Sequence, residues 1–267
     1  MFYCKFNDPV YVKLEKIDVL VKVANEANVE ALLGELKEYA NDVDFEIIKK
    51  SVRAIGQIIL KIDKASKKAA DILHDIVNSP GNYGLQEAVV VAKDIFRKFP
   101  TKFEHMISDF ANKFEEFFEV ESKASIIWII GEYAEKIAKA DKILNTYIDN
   151  FLEEPVKVQL SLLTATVKLY LKKPDSADAV IKRVLKIATE EGSNPDLMDR
   201  AYIYWRMLSN SPQKTKYVVL GEKPNIADDS YNLYSDEFVD SLISQISSLC
   251  SVYHKTPEEL QLSIKKQ

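Results

Sequence analysis

With 47 % hydrophobic and 29 % charged residues, this 267-residue chain carries too much apolar content to remain disordered. Its 7 glycines and 9 prolines are few for a sheet-and-turn protein, and long helices with short connections suit them better. A net charge of −5, from 36 basic and 41 acidic residues, excludes general affinity for a nucleic-acid backbone. Cys4 and Cys250 stand near opposite ends and form no disulfide framework, which suggests a reducing compartment. The opening residues lack a signal-peptide layout, and the longest apolar run, 126–130, is far below the ~20 residues of a membrane span. The chain reads as cytosolic.

Along the chain, six apolar helix patterns recur at one spacing. Asp18, Gly56, Lys93, Gly131, Lys168 and Arg206 occupy matching points, separated by 38, 37, 38, 37 and 38 residues. Each interval contains a second, shorter helical pattern. A period this long and steady predicts an all-α fold, an α-α superhelix of HEAT or armadillo type with about six hairpins and a C-terminal capping helix.

The first helix is expected to open with Asp8 as N-cap and Pro9 in its first turn, followed by Leu14, Ile17, Val21 and Ala24. Phe45, Ile48, Val52, Ile55 and Ile59 carry the second hairpin; Leu85, Ala88, Ala92, Ile95 and Phe99 carry the third, which Pro100 stops. Ile126, Ile127, Ile130, Tyr133 and Ile137 carry the fourth. The fifth, 156–171, alternates as a strand would and also fits a helix; the repeat register decides for helix, with Pro155 at its start and Pro174 after its end. Asn194-Pro195 caps the sixth, which runs through Ala201, Tyr204, Trp205 and Leu208. Second helices are predicted at 29–40, 65–77, 103–118, 141–152 and 177–189. Gly56 and Gly131, mid-helix and 75 residues apart, each cost about 1 kcal/mol relative to alanine, so close approach of a neighbouring helix should explain them.

The solenoid is assigned to 1–220, an acidic irregular linker to 221–237, and a capping helix with a polar tail to 238–267. The capping helix is marked by Phe238, Leu242, Ile246, Leu249 and Cys250.

Chemistry is not legible anywhere. There is no G-x-x-x-x-G-K, G-x-G-x-x-G or His-Glu-x-x-His, and the three histidines are widely separated. Acid pairs such as Glu115-Glu116 read as solvated helix ends, and so do the basic clusters at 49–53, 64–68 and 182–186. The expectation is a protein that is not an enzyme and uses no cofactor. Tyr217-Val218-Val219-Leu220 matches a tyrosine-based sorting signal, but a short helix packed beneath the sixth hairpin is the favoured reading. Tyr202, Tyr204 and Trp205 admit two readings, core packing, which is favoured, or a partner-binding hot spot. The candidate partner contacts are Tyr202, Tyr204, Trp205, Arg206 and Tyr253.

Several strings then fit a known family. Ile127-Trp128-Ile129-Ile130-Gly131-Glu132-Tyr133-Ala134-Glu135 and Asp199-Arg200-Ala201-Tyr202-Ile203-Tyr204-Trp205-Arg206 are the most specific. Val52-Arg53-Ala54-Ile55-Gly56, Leu169-Tyr170-Leu171-Lys172-Lys173-Pro174, Asn194-Pro195-Asp196-Leu197 and Ser251-Val252-Tyr253-His254-Lys255 continue the pattern along nearly the whole chain. Together they resemble the trunk of a β-adaptin, a large subunit of the heterotetrameric clathrin adaptor complexes. The resemblance implies the C-terminal half of such a trunk, a scaffold for vesicle-mediated transport that holds the medium subunit and meets the small and second large subunits. It places the protein in the cytoplasm, peripheral on coated vesicles at the trans-Golgi or plasma membrane. Clathrin and membrane contacts would belong to parts of the longer protein absent here. Stretches 175–179 and 225–237 fit the family poorly. A helical-repeat nuclear transport receptor is the alternative, but the asparagine or tryptophan ladders it requires are missing. A stack cut between hairpins should also leave Leu14, Ile17 and Leu20 uncovered and prone to self-association.

Overall fold

The computed structural model describes residues 2–79, 83–192, 194–222, 236–253 and 255–258. Among them every regular element is helical, and there is no strand. The chain divides into two units, Met1–Asn225 and Ile226–Gln267.

The first unit is a two-layer stack. One layer holds α1 (Val10–Val23), α3 (Phe45–Lys61), α5 (Leu85–Lys98), α7 (Val120–Glu132), α9 (Val156–Lys172) and α11 (Pro195–Asn210). Each of these packs on the next, so the layer is an unbroken row. The other layer holds the shorter α2 (Val29–Tyr39), α4 (Ser66–Asn78), α6 (His105–Asn112), α8 (Ala140–Asp149), α10 (Pro174–Lys186) and α12 (Pro212–Val219). Buried Ile, Leu, Val and Phe side chains form one seam between the layers, from Ile17 to Ala201. The segment with ambiguous periodicity, α9, is a helix: Val158, Leu162, Leu163 and Val167 all lie in that seam.

The glycines mark where the row is tightest. A Cβ on Gly131 would lie 2.6 Å from the backbone Cα of Ala165 in α9, and one on Gly56 would collide with the Val91 side chain of α5. Close approach therefore compensates their poor helix propensity.

Asn194 caps α11 as the sequence predicts, Asp44 is a cap that the sequence reading did not single out, and the cap expected at Asp8 is absent. The Asp44 carboxylate accepts from the Glu46 and Ile47 amides, and the Asn194 side chain from that of Leu197, with Pro195 next in line. Asp8 is not a cap. Its carboxylate accepts from the Lys5 amide at 2.7 Å and the Lys16 ammonium at 2.6 Å, which holds it away from the helix amides, and Pro9 takes the cap position. Those two donors also hold its carboxyl below the usual range.

Other boundaries also differ. Pro174 opens α10 as well as following α9, because the non-helical Lys173 (φ −132°, ψ 70°) breaks the chain between the two helices. The second helix of the third hairpin is one short helix and a 3-10 turn, Phe114–Glu116, in place of a run over 103–118. A π turn, Ile187–Glu191, ends the α10 segment. Ile17 and Leu20, expected on an open face, are buried against neighbouring elements, and only Leu14 is partly accessible. The apolar residues exposed at that end include Phe2, Tyr3, Phe6, Val10 and Tyr11, with Phe6 and Tyr11 the most open.

In the second unit the expected capping helix is two pieces, α13 (Asp236–Ser244) and α14 (Leu249–Tyr253). The turn between them takes Ile246 out of helix and leaves it exposed, as Leu249 is. Most of the acidic linker, 223–235, lies outside the described residues, as does most of the tail.

Candidate partner-binding surface

Two features of the stack could meet another molecule: the outer side of α11–α12, and a groove on the row of first helices.

On α11, helical spacing sorts the aromatic run onto opposite sides. Leu197 and Ala201 are buried, and Tyr204 follows them inward, its hydroxyl 3.2 Å from Thr164 of α9. Tyr202, Trp205 and Arg206 share the other side and are exposed, with 39 % of Tyr202 and 55 % of Trp205 open to solvent. The two rings stand 6.5 Å apart, tilted against each other. Core packing therefore holds for Tyr204 and fails for Tyr202 and Trp205. Thr215 fixes α12 to this helix, its hydroxyl 2.7 Å from the Met207 carbonyl. Tyr217 and Val218 project outward, Tyr217 with 84 % exposure, so the short helix is real but only Val219 of its apolar residues is packed on the core. Tyr253 lies in α14 of the second unit.

The groove centres on half-buried Trp128 of α7. Lys168 of α9 sits 5.3 Å from the indole centroid and pairs with Glu132 at 2.8 Å. Lys93 and Arg97 from α5, Lys157 from α9 and Arg200 from α11 line the connected depressions around that ring. Lys157 is paired with Glu121, whose carboxyl that ammonium holds below its ordinary range. No family of residues in this groove was legible beforehand, because its members come from four repeats.

Sequence reading also missed the ties between repeats. Lys61 donates to the Lys22 carbonyl at 2.9 Å, and Lys98 and Lys172 donate in the same way to the Leu60 and Glu132 carbonyls. Each lysine ends a first helix and satisfies carbonyls left open at the end of the preceding one. Their 37- and 74-residue separations were a readable signal. The basic clusters are likewise paired across repeats: Lys50 with Asp18 at 2.7 Å, Lys64 with Glu26 at 2.5 Å, Arg183 with Asp149 at 2.7 Å. Buried Glu87 receives both Arg53, at 2.5 Å, and Lys49, at 3.7 Å. Gln86 beside it donates to the Glu116 carbonyl at 2.7 Å and accepts from the Phe118 amide at 3.2 Å, pinning the loop into α7.

Among the described residues no group of three or more His, Cys, Asp or Glu could hold a metal ion, and no helix is long and apolar enough to cross a membrane. His74 meets Asp109 at 3.0 Å between α4 and α6, one more tie between repeats.

A two-layer helical-repeat stack, tied from repeat to repeat and presenting an aromatic side and a groove, defines the class of helical-repeat scaffolds. The Adaptin N terminal region family matches residues 1–212. The chain is 47 % identical to the AP-1 complex subunit beta of Dictyostelium discoideum over 99 % of its own length and 28 % of that protein's. It is also 47 % identical to the AP-1 complex subunit beta-1 of Rattus norvegicus, over 96 % of this chain and 27 % of the relative. A homology model of the full-length AP-3 complex in an intermediate open conformation matches with a TM-score of 0.64 and 21 % identity, covering 79 % of this chain and 39 % of that one. That likeness concerns the fold. This chain belongs to the adaptin family and is similar to the trunks of β-adaptins, while spanning just over a quarter of the length of those beta subunits.

Proposed function

We propose that this chain is part of the trunk of a β large subunit and works as a non-catalytic scaffold in a heterotetrameric clathrin adaptor complex. One observation carries the reading: similarity to AP-1 beta subunits extends over 99 % of the chain, so every repeat of the stack is included. Its work is mechanical. Helix pairs propped by their neighbours hold a fixed spacing of surface groups, onto which the medium, small and second large subunits assemble. Tyr202, Trp205 and Arg206 on α11 are the contacts assigned to that assembly, since exposed tyrosine, tryptophan and arginine are the residue types that anchor interfaces. Tyr204 supports them from the packed side of the helix, and Tyr253 contributes from the second unit. The chain corresponds to the C-terminal half of a trunk, and clathrin and the membrane are reached through other parts of the full-length protein. Its setting is the cytoplasmic face of a vesicle coat, in intracellular protein transport.

Affinity capture of the full-length protein tests this. Medium, small and second large adaptor subunits should co-purify. Recovery of nuclear pore components in their place would transfer the chain to the transport receptors.

A further inference from the structure

A third surface lies where α3, α5 and α7 begin. Lys49 of α3 reaches past the start of α5 to Glu119, just ahead of α7, at 3.1 Å, so the three ends are drawn together. Gln86 in the first turn of α5 adds to this by accepting from the Phe118 amide at 3.2 Å. The rings of Phe45 and Tyr83 meet edge to face at 6.3 Å, and the Lys49 ammonium sits 5.7 Å from the Phe45 centroid. The rings stay open to water all the same: Tyr83 is 70 % and Phe118 73 % exposed, with Phe45 at 43 %. Val43 and Val120 beside them are exposed as well. Isolated apolar residues are ordinary on a surface, but five gathered from three repeats mark a place of contact.

The charge around the patch is one-sided. Segments 42–53, 83–87 and 113–123 carry eight acidic residues against five basic ones. Every base is engaged: Lys49 with Glu87 and Glu119, Arg53 with Glu87, Lys50 with Asp18, Lys123 with Glu154, and Lys113 with the Val77 carbonyl. Among the acids, Asp42 pairs with Lys13, Glu121 with Lys157, and Asp44 caps α3. Glu46, Glu115 and Glu116 are left, exposed and with no ion pair among the described residues. Open rings beside free carboxylates suit arginine or lysine, whose charge meets the acids while the side chain lies on an aromatic face. An anionic membrane and a nucleic acid are repelled by the same carboxylates. A second copy presenting this edge would set like charges against each other. Three neighbouring helices roughly 10 Å apart span about 20 Å, the reach of about six residues of extended chain. We propose that this edge is the docking site of a short basic segment from a partner protein, with apolar side chains on Tyr83 and Phe118 and cationic ones on Glu46, Glu115 and Glu116. The site is separate from the α11 contacts and stands on its own residues.

The test uses the full 267-residue chain. The probe is a fluorescein-labelled heptapeptide with two arginines at each end of a leucine, serine, leucine centre. Saturable fluorescence anisotropy is expected, weakening as salt is raised. Glu115→Lys with Glu116→Lys should reduce the affinity at least tenfold, and Tyr83→Ser with Phe118→Ser should do the same, both with an unaltered thermal melt. Should the paired changes impair folding, Phe118→Ala alone, at an exposed position outside any helix, should reduce it about threefold. Asp71→Lys, exposed on α4 in the other layer, should leave it unchanged. The proposal falls if the peptide does not bind, or if the charge-reversed chain binds as the parent does. Loss on charge reversal with none on removing the rings would reduce the site to unspecific attraction by a chain of net charge −5, and overturns it too. Self-association in sedimentation that disappears with Phe118→Ala, without peptide binding, would assign the edge to a second copy instead. A tenfold gain in affinity on Lys265→Glu with Lys266→Glu would assign it to the chain's own basic end and overturn it as well.

Discussion

At the scale of single residues, the stack is governed by where a side chain is missing or buried. Gly131 faces the Ala165 backbone, so alanine there cannot be relieved by a rotamer change and the helices themselves must part. Overpacking of this kind costs about 1–3 kcal/mol, partly offset by the ~1 kcal/mol gained in helix propensity. At Gly56 the obstacle is a valine side chain, which can turn although it is stiff at χ1. Denaturant titration should therefore show Gly131→Ala more destabilised than Gly56→Ala, with the latter within about 1 kcal/mol of the parent. Glu87 offers a second case. Its carboxylate is buried while Arg53 and Lys49 keep partial contact with water. Exposed pairs are worth about 0–1 kcal/mol and breaking fully buried ones costs about 3–5 kcal/mol. Glu87→Ala should fall between, near ~2 kcal/mol, and a double change with Arg53→Ala should cost less than the two single changes summed.

At the scale of elements, neighbouring helices are joined end to end as well as side to side. The Tyr133 hydroxyl, 3.1 Å from the Phe96 carbonyl, ties α7 to the end of α5, and burial pushes its pKa up to about 12 from an ordinary 10. The folded chain thus keeps a proton that the unfolded chain releases between those values. This contribution is complete below pH 10 and is lost as pH rises toward 12. Tyr133→Phe should lower stability at neutral pH by about 1 kcal/mol and show a shallower decline between pH 10 and 12 than the parent. Alkaline denaturation of the two side by side measures the difference. For α11, the outward pair is separable from the core: Tyr202→Ala with Trp205→Ala should leave the melting temperature nearly unchanged and sharply reduce capture of the other adaptor subunits. Loss of stability instead would show that the pair packs rather than binds. The repeat register placed α9 correctly where local periodicity fitted strand and helix alike, because a period carried by six hairpins outranks alternation within one. It could not place the break between α13 and α14, since Ile246 keeps helical spacing across a turn.

For the whole molecule, repeats pack mainly on those beside them, although Lys49 reaches past one repeat to Glu119 at 3.1 Å, and stability should largely follow nearest neighbours. Ile130→Ala, which opens a cavity in the fully buried middle of α7, should cost about 2–5 kcal/mol locally. Hydrogen exchange should then accelerate in α5, α7 and α9 well before α1 and α2. Uniform loss of protection along the first unit would instead indicate one cooperative block. Repeat length, helix content, hairpin count and family resemblance were all legible in the linear order of residues, because each depends on a period or a string within a single repeat. Which side of α11 the aromatics take, whether Asp8 caps a helix or binds Lys16, and the gathering of Trp128, Lys157 and Arg200 into one groove were decided only by the tertiary structure. Those outcomes depend on distances between residues about 29 positions or more apart, or on competition among partners, and neither is written in local periodicity.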